Sequence, residues 1–221
     1  MAYRKQRGGI GSMRNKIPDV VIRRLVTYLR ILSDIDAGPD DYISSAEIGD
    51  LAAVNSAQVR KDLALFGEFG KQGVGYPVLG LKKELIEILG ADRQMNIAIF
   101  GVGELGTALA RYLTSRKEST PNYRFVVKGL FDVDPNKVGT EIEGIPVRHL
   151  DELEQVMATE DIKIGVIAVP AQAAQDVVNF AISKGIKGFL NFAPVRIKVP
   201  SDVRIQNSDV TSDLQELGFY L

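Results

Sequence analysis

The sequence predicts an α/β chain in two parts: a small helical domain closed by a hairpin, then an open, doubly wound parallel sheet. Three observations carry that prediction. At 221 residues the chain is long for one domain and short for three. Its first third shows helical periodicity broken by turn signals. Its second half alternates continuous apolar runs, at 97–100, 125–131, 164–169 and 188–192, with amphipathic stretches near 105–113, 150–157 and 171–183. Unbroken apolar strands between amphipathic helices indicate a parallel sheet covered on both faces.

The elements follow in order. Residues 17–32 place Val21, Leu25, Tyr28, Leu29 and Leu32 at helical spacing, with Pro18 tolerated in a first turn. Ala37-Gly-Pro-Asp-Asp41 breaks the chain. Ser44, with Glu47 three residues on, forms a capping box that opens a short helix to Ala52. Asn55, with Gln58 three residues on, caps the next helix, which runs through Val59, Leu63 and Leu65. Residues 66–76 hold four glycines and three aromatics, which predicts two short strands around a turn at Lys71-Gln72-Gly73. Helix, helix, tight turn, helix and hairpin is the order of a winged helix-turn-helix. Residues 81–89 predict a linking helix that ends at Gly90. The expected organisation is a basic flexible arm at 1–14, a winged helix at 15–80, a linking helix at 81–95, the sheet domain at 96–206 and a C-terminal helix at 207–221. The last helix carries the stripe Val210, Leu214, Leu217 and Leu221, which docks either on its own domain or on a partner subunit.

Composition removes several function classes. With 45% hydrophobic and 25% charged residues a packed core is expected and wholesale disorder is not. The absence of cysteine removes disulfides, thiolate nucleophiles and zinc–sulfur sites. A single histidine, His149, argues against a histidine metal centre or a Ser/His/Asp triad, and it is expected at a helix entrance. No apolar run approaches the roughly 18 residues of a membrane helix, and the charged start lacks an apolar signal core. A cytoplasmic protein is expected, with no membrane partner.

The net charge of −1 conceals an asymmetry. Residues 1–33 hold eight basic side chains (Arg4, Lys5, Arg7, Arg14, Lys16, Arg23, Arg24 and Arg30) against Asp19, whereas 34–50 hold six acids and no base. A basic arm followed by a basic helix suits nucleic acid or, equally, a solvated face with a free tail.

Gly101-Val102-Gly103-Glu104-Leu105-Gly106 lies directly after the strand signal at 96–100 and directly before a helix signal. In that context GxGxxG is a dinucleotide fingerprint, and the sheet is of Rossmann type. Gly101 allows the tight turn, Gly103 the approach of backbone to a pyrophosphate, and Gly106 close helix–strand packing. The pyrophosphate then meets the helix N-terminus. Asp132, at the end of the second strand, supplies the acid for the adenosine ribose, delayed by a polar loop at 116–122. An acid there favours NAD+ and NADH over their 2′-phosphorylated forms.

On the helix that starts after Asn55, Ser56, Gln58, Arg60 and Lys61 face outward if Val59 and Leu63 face the core. Arg and Lys read guanine edges or neutralise phosphates, while Ser and Gln hydrogen-bond either. Lys71 at the wing tip, with Arg14 and Lys16 in the basic segment, suits phosphate or minor groove. The competing class is an enzyme, either an NAD-dependent dehydrogenase or a coenzyme A-binding enzyme domain. Against turnover stands the want of a general acid/base pair: Tyr112 has Arg111 beside it and no lysine three or four residues on.

The two halves together resemble the bacterial redox-sensing repressor family Rex. The resemblance rests on Ser45-Ala-Glu-Ile-Gly49, Gln58-Val-Arg-Lys-Asp-Leu63, Phe66-Gly-Glu-Phe-Gly70 with Gly73-Val-Gly-Tyr76, Phe131-Asp-Val-Asp-Pro135 and Leu190-Asn-Phe-Ala-Pro194. It implies a transcriptional repressor without enzymatic activity, a homodimer that binds a two-fold double-stranded DNA operator and leaves it when NADH occupies the sheet domain. It further implies that the last helix is swapped between subunits. Tyr112, Pro170 and the partner subunit's Asp209 would then lie near the nicotinamide. Val210 stands where other members place a large aromatic.

Overall fold

The computed structural model describes residues 17–71, 73–119 and 124–221. It forms two compact units, the first ending at Asp92 and the second beginning at Arg93. The expected basic arm, with Arg14 and Lys16, lies outside the described residues.

The first unit opens with α1, Asp19–Asp34, which buries Val21, Leu25, Tyr28 and Leu32 as one stripe. Pro18 stands at the N-cap with extended backbone rather than in the first turn. Strand β1, Tyr42–Ile43, precedes α2, Ser45–Leu51. Ser44 and Glu47 form the expected reciprocal box: the Glu47 N–H donates to Ser44 Oγ (3.1 Å) and the Ser44 N–H to Glu47 Oε2 (2.8 Å). Helix α3, Ser56–Ala64, is capped by Asn55, whose Oδ1 accepts from the Gln58 N–H at 2.8 Å. Gly49 makes the tight α2–α3 turn feasible, because a Cβ there would lie 2.6 Å from the Val54 carbonyl oxygen.

Two expectations change here. The wing is not a ladder of two strands: it closes through a single antiparallel bridge, Lys71–Gly75. The following strand β2, Tyr76–Pro77, instead pairs antiparallel with β1. Gly75 leaves no room for a side chain against that neighbour, since a Cβ would meet the Ile43 carbonyl oxygen at 2.6 Å. The helix expected to link the domains is α4, Val78–Leu89, which starts three residues earlier and buries Val78, Leu81 and Leu85 in the core formed by α1, α2 and α3. It therefore belongs to the first unit's core, and it ends at left-handed Gly90 (φ 66°).

The second unit is a seven-stranded sheet in the order β5-β6-β4-β3-β7-β8-β9. Its strands are β3 (Met95–Phe100), β4 (Phe125–Asp132), β5 (Glu141–Ile142), β6 (Ile145–His149), β7 (Ile162–Ile167), β8 (Gly188–Asn191) and β9 (Arg204–Asn207). All neighbours are parallel except β5, which forms a hairpin with β6. Helices α5 (Glu104–Ser119), α6 (Leu153–Glu160) and α7 (Ala171–Ser183) make crossovers, and α8 (Val210–Phe219) follows the last strand. The periodic reading lacked β5, β6 and β9. Helix α5 also runs on through Arg116, so residues 116–119 are helix where a loop was expected.

Alternation along β3 shows why both faces need cover. Ala98 and Phe100 pack with α6 and α7, while Ile97 and Ile99 pack with Ala110 of α5. Phe100 stacks on Phe131 with centroids 5.5 Å apart. Gly129 and Gly165 make room for these rings: a Cβ would reach Phe131 at 2.6 Å in the first case and Phe100 at 2.9 Å in the second. His149 stands where expected, at the start of a helical turn, with its N–H donating to Glu152 Oε1 at 2.9 Å.

Candidate functional site

Strand β3 has β4 on one side and β7 on the other, so the chain reverses direction across the sheet at its carboxyl end. Such a switch point is where open α/β sheets hold ligands. The loop 101–106 occupies it, and its three glycines do three different jobs. Gly101 has φ +88°, and a Cβ there would lie 2.6 Å from the Ala168 carbonyl oxygen. A Cβ on Gly106 would come within 1.8 Å of the Gly101 carbonyl oxygen, so only hydrogen lets α5 seat on the strand. Gly103 faces open space, with nothing within 4 Å of where its Cβ would be. A phosphate can therefore approach the backbone at Gly103, where the first-turn N–H groups of α5 lack intrahelical partners. Val102 is buried, while Glu104 and Leu105 at the helix start are exposed. The loop fits a dinucleotide pyrophosphate.

Asp132 ends β4 beside this loop, its Oδ2 accepting the Val102 N–H at 2.8 Å. Its Oδ1 accepts from the N–H groups of Val133 (2.8 Å) and Asp134 (2.9 Å). The Lys137 ammonium stands 3.2 Å from Oδ2 and 3.7 Å from Asp134. Burial pushes the Asp132 carboxyl up, but the Asp134 and Val102 N–H groups and Lys137 outweigh it and hold the group below its ordinary range. Lys137 was missed at the sequence level; its signal was a lysine shortly after the Asp-Pro turn.

The remaining coenzyme candidates are spread over three elements. Pro170 caps α7, just beyond the carboxyl end of β7. Tyr112 on α5 is half-exposed, its hydroxyl accepting from Arg116 Nη1 at 2.7 Å with the guanidinium 5.4 Å from the ring centroid. Asp209 caps α8, accepting from the Thr211 N–H (3.0 Å), the Ser212 N–H (3.3 Å) and Ser212 Oγ (2.8 Å). Those bonds hold its carboxyl below the ordinary range, that from the Ser212 hydroxyl contributing most. Within one chain Tyr112 and Asp209 thus have separate local partners. No residue of α8 is buried, and Val210, Leu214 and Leu217 are 63%, 62% and 61% exposed.

In the first unit, α3 presents Arg60 and Lys61 to solvent, with Ser56 half-buried. Arg60 Nη1 donates to Ser45 Oγ at 2.9 Å, which adds Ser45 to the surface shared by α2 and α3. Lys71 is exposed on the bridged turn. Gln58 does not project freely: it is half-buried, and its Nε2 donates to Asp62 Oδ1 at 2.7 Å. Among the described residues, no helix is long and apolar enough to cross a membrane.

Comparison with known proteins agrees with this two-part construction. Residues 16–64 match the family model described as putative DNA-binding protein N-terminus, and residues 92–195 match the CoA binding domain. The redox-sensing transcriptional repressor Rex of Natranaerobius thermophilus is 42% identical over 95% of this chain and 93% of its own length. The Rex repressor of Brevibacillus brevis is 44% identical over 95% and 99%, and that of Thermus thermophilus 44% over 92% and 93%. Among solved structures, RSP in complex with β-NAD+ and operator DNA superposes with a TM-score of 0.83 at 36% identity, covering 92% of each chain. RSP in complex with β-NADH gives 0.80 at 34%, covering 92% of this chain and 93% of the other. Sequence, fold and the arrangement of both candidate surfaces thus agree: this chain belongs to the Rex family of redox-sensing transcriptional repressors.

Proposed function

We propose that the chain is a homodimeric, DNA-binding transcriptional repressor that senses the NADH/NAD+ ratio, and that NADH releases it from its operator. The observation that carries this reading is the union, in one chain, of a helix-turn-helix unit with a glycine cradle open at Gly103 beside Asp132. It is supported by the relatives' shared name and by the solved RSP complexes with operator DNA and with both coenzyme forms.

The roles follow from chemistry. The 101–106 loop and the α5 N-terminus hold the pyrophosphate, and Asp132 accepts from the adenosine ribose. Pro170, Tyr112 and the partner subunit's Asp209 border the nicotinamide. The ring of NAD+ is cationic and that of NADH neutral, and burying an uncompensated cation is costly. The Asp209 carboxylate stays ionised but is turned toward its own helix, accepting from Thr211 and Ser212. Where it is not aimed at the ring the cation goes uncompensated, and a closed pocket favours NADH. The bare stripe of α8 is covered by the second subunit, which couples ring binding to subunit pairing. Ser56, Arg60 and Lys61 of α3 enter the major groove, and Lys71, Arg14 and Lys16 contact backbone or minor groove. Operator half-sites lie one helical turn apart, so a few ångström of change between the two α3 helices removes one from register.

The test is operator binding by the full-length protein, titrated with NADH and NAD+ side by side. NADH is expected to weaken binding and NAD+ to leave it intact. Equal affinity in both forms refutes redox sensing, and catalytic oxidation or reduction of a metabolite refutes the non-enzymatic reading.

A further inference from the structure

Asp62 is 1% exposed and is one of two buried polar residues among the described positions. It lies on α3 between Lys61 and Leu63, yet its partners come chiefly from α1. Arg24 grips it with a two-pronged fork, Nε to Oδ2 at 2.5 Å and Nη2 to Oδ1 at 2.7 Å. The Tyr28 hydroxyl donates to Oδ2 at 2.9 Å, and Gln58 Nε2 to Oδ1 at 2.7 Å. Four donors thus fill both oxygens, so the carboxylate is satisfied without water.

We propose that Asp62 is a positioning residue for DNA recognition: through Arg24 and Tyr28 it sets the rotation of α3 and so aims Arg60 and Lys61. Val59 and Leu63 also fasten α3 to the core, but apolar packing is non-directional, and a helix so held can roll. A bidentate fork cannot roll without breaking. One residue is roughly 100° of helix rotation, so Arg60 lies roughly opposite the anchored Asp62 and Lys61 about a quarter-turn to its side, and both are exposed. Arg24, counted in the basic footprint by charge alone, is on this reading a counter-ion inside the domain and not a phosphate contact. Gln58 likewise holds Asp62 instead of reading a base.

The inference rests on the assignment of α3 as the DNA-reading helix, and its test separates the two. Near a polyanion, removing a negative charge should tighten binding if electrostatics alone operates. Positioning predicts the opposite sign. In the full-length protein, Asp62→Asn is expected to weaken operator binding about tenfold to hundredfold, the range of contacting networks, while weak binding to non-specific DNA changes little. Binding to operator by Asp62→Asn equal to or tighter than that of the unaltered protein overturns the positioning role. Arg24→Gln keeps the proposal falsifiable should Asp62→Asn not fold. It should also lose operator affinity, with an unchanged slope of log affinity against log salt. A slope lower by about 0.9 marks a lost phosphate contact and overturns the proposal. Lys61→Ala should show that slope change. If the Arg60→Ala, Lys61→Ala double variant keeps operator binding, the α3 assignment falls and this inference with it.

Discussion

Two glycines three positions apart in the same loop separate coenzyme binding from stability. At Gly103 the backbone is not in the left-handed region, and a methyl group would meet nothing within 4 Å. Gly103→Ala should therefore leave the fold intact. Reduced freedom of the unfolded chain should even stabilise it by about 0.4–1 kcal/mol, raising the second unit's melting temperature by roughly 1–4 °C. The methyl group fills the space a pyrophosphate needs. Losing two charge-assisted hydrogen bonds at about 1.5 kcal/mol each costs about 3 kcal/mol, a fall in NADH affinity on the order of a hundredfold. At Gly106 the added Cβ would sit 1.8 Å from the Gly101 carbonyl oxygen. The obstacle is backbone and cannot swing aside, so Gly106→Ala should destabilise the unit by about 1–3 kcal/mol or more, as overpacking does. Calorimetric titration with NADH and thermal unfolding of both variants provide the readout. If Gly103→Ala binds NADH as the unaltered protein does, the 101–106 loop is not the pyrophosphate site. A Gly106→Ala variant as stable as the parent refutes the packing explanation.

Other consequences are more local. Asp132→Ala should weaken NADH roughly tenfold to hundredfold, since hydrogen bonds to a charged group are worth about 1.5–3 kcal/mol each; unchanged affinity by titration removes Asp132 from the ribose role. The depressed Asp132 carboxyl contributes stability that is complete above its ordinary value of 3.8 and is lost as pH falls through the lower folded value. Lys137→Ala should raise that folded value and shrink the contribution, which carboxyl NMR titration would detect; an unmoved titration refutes the Lys137 contribution. Leu214→Asp with Leu217→Asp should dissociate the dimer in sedimentation and abolish operator binding, because each buried leucine is worth about 1.5–3 kcal/mol. A dimer that persists refutes the covering of α8 by a second subunit.

What was legible in the sequence was local chemistry. The Ser44–Glu47 box and the Asn55 cap need only neighbours three residues away, and each glycine of the fingerprint has the surroundings its spacing required. What was illegible was set at long range or by small margins. The β5–β6 hairpin turns through Glu143 and Gly144, both at positive φ (52° and 76°), and glutamate is not a residue that announces such a turn. Strand β9 is an edge with the polar sequence RIQN, paired only to β8. The start of α4 was obscured because Pro77 and Gly80 flank Val78, although Val78, Leu81 and Leu85 form one stripe. The Arg24–Asp62 fork joins residues 38 apart, and no periodicity encodes such a pair. A helical wheel that turns Val59 inward leaves Gln58 at the margin, where only Asp62 decides its direction.

The same sequence logic explains how a coenzyme fold can serve as a signal. Relief of repression by a hundredfold requires a coupling free energy of about 2.7 kcal/mol, which must come from contacts that differ between the two coenzyme states. On the proposed reading the 101–106 loop and Asp132 would meet groups common to NADH and NAD+, and so would set affinity and contribute nothing to discrimination. Discrimination has to arise at the ring and be transmitted by an element whose packing depends on it. Helix α8 begins at the Asp209 cap and carries four large apolar side chains, Val210, Leu214, Leu217 and Phe219, that are bare in the single chain. Burying even one or two of them differently between states supplies about 2–3 kcal/mol, the magnitude the coupling demands. Because the linkage is reciprocal, operator DNA must weaken NADH by the factor with which NADH weakens operator.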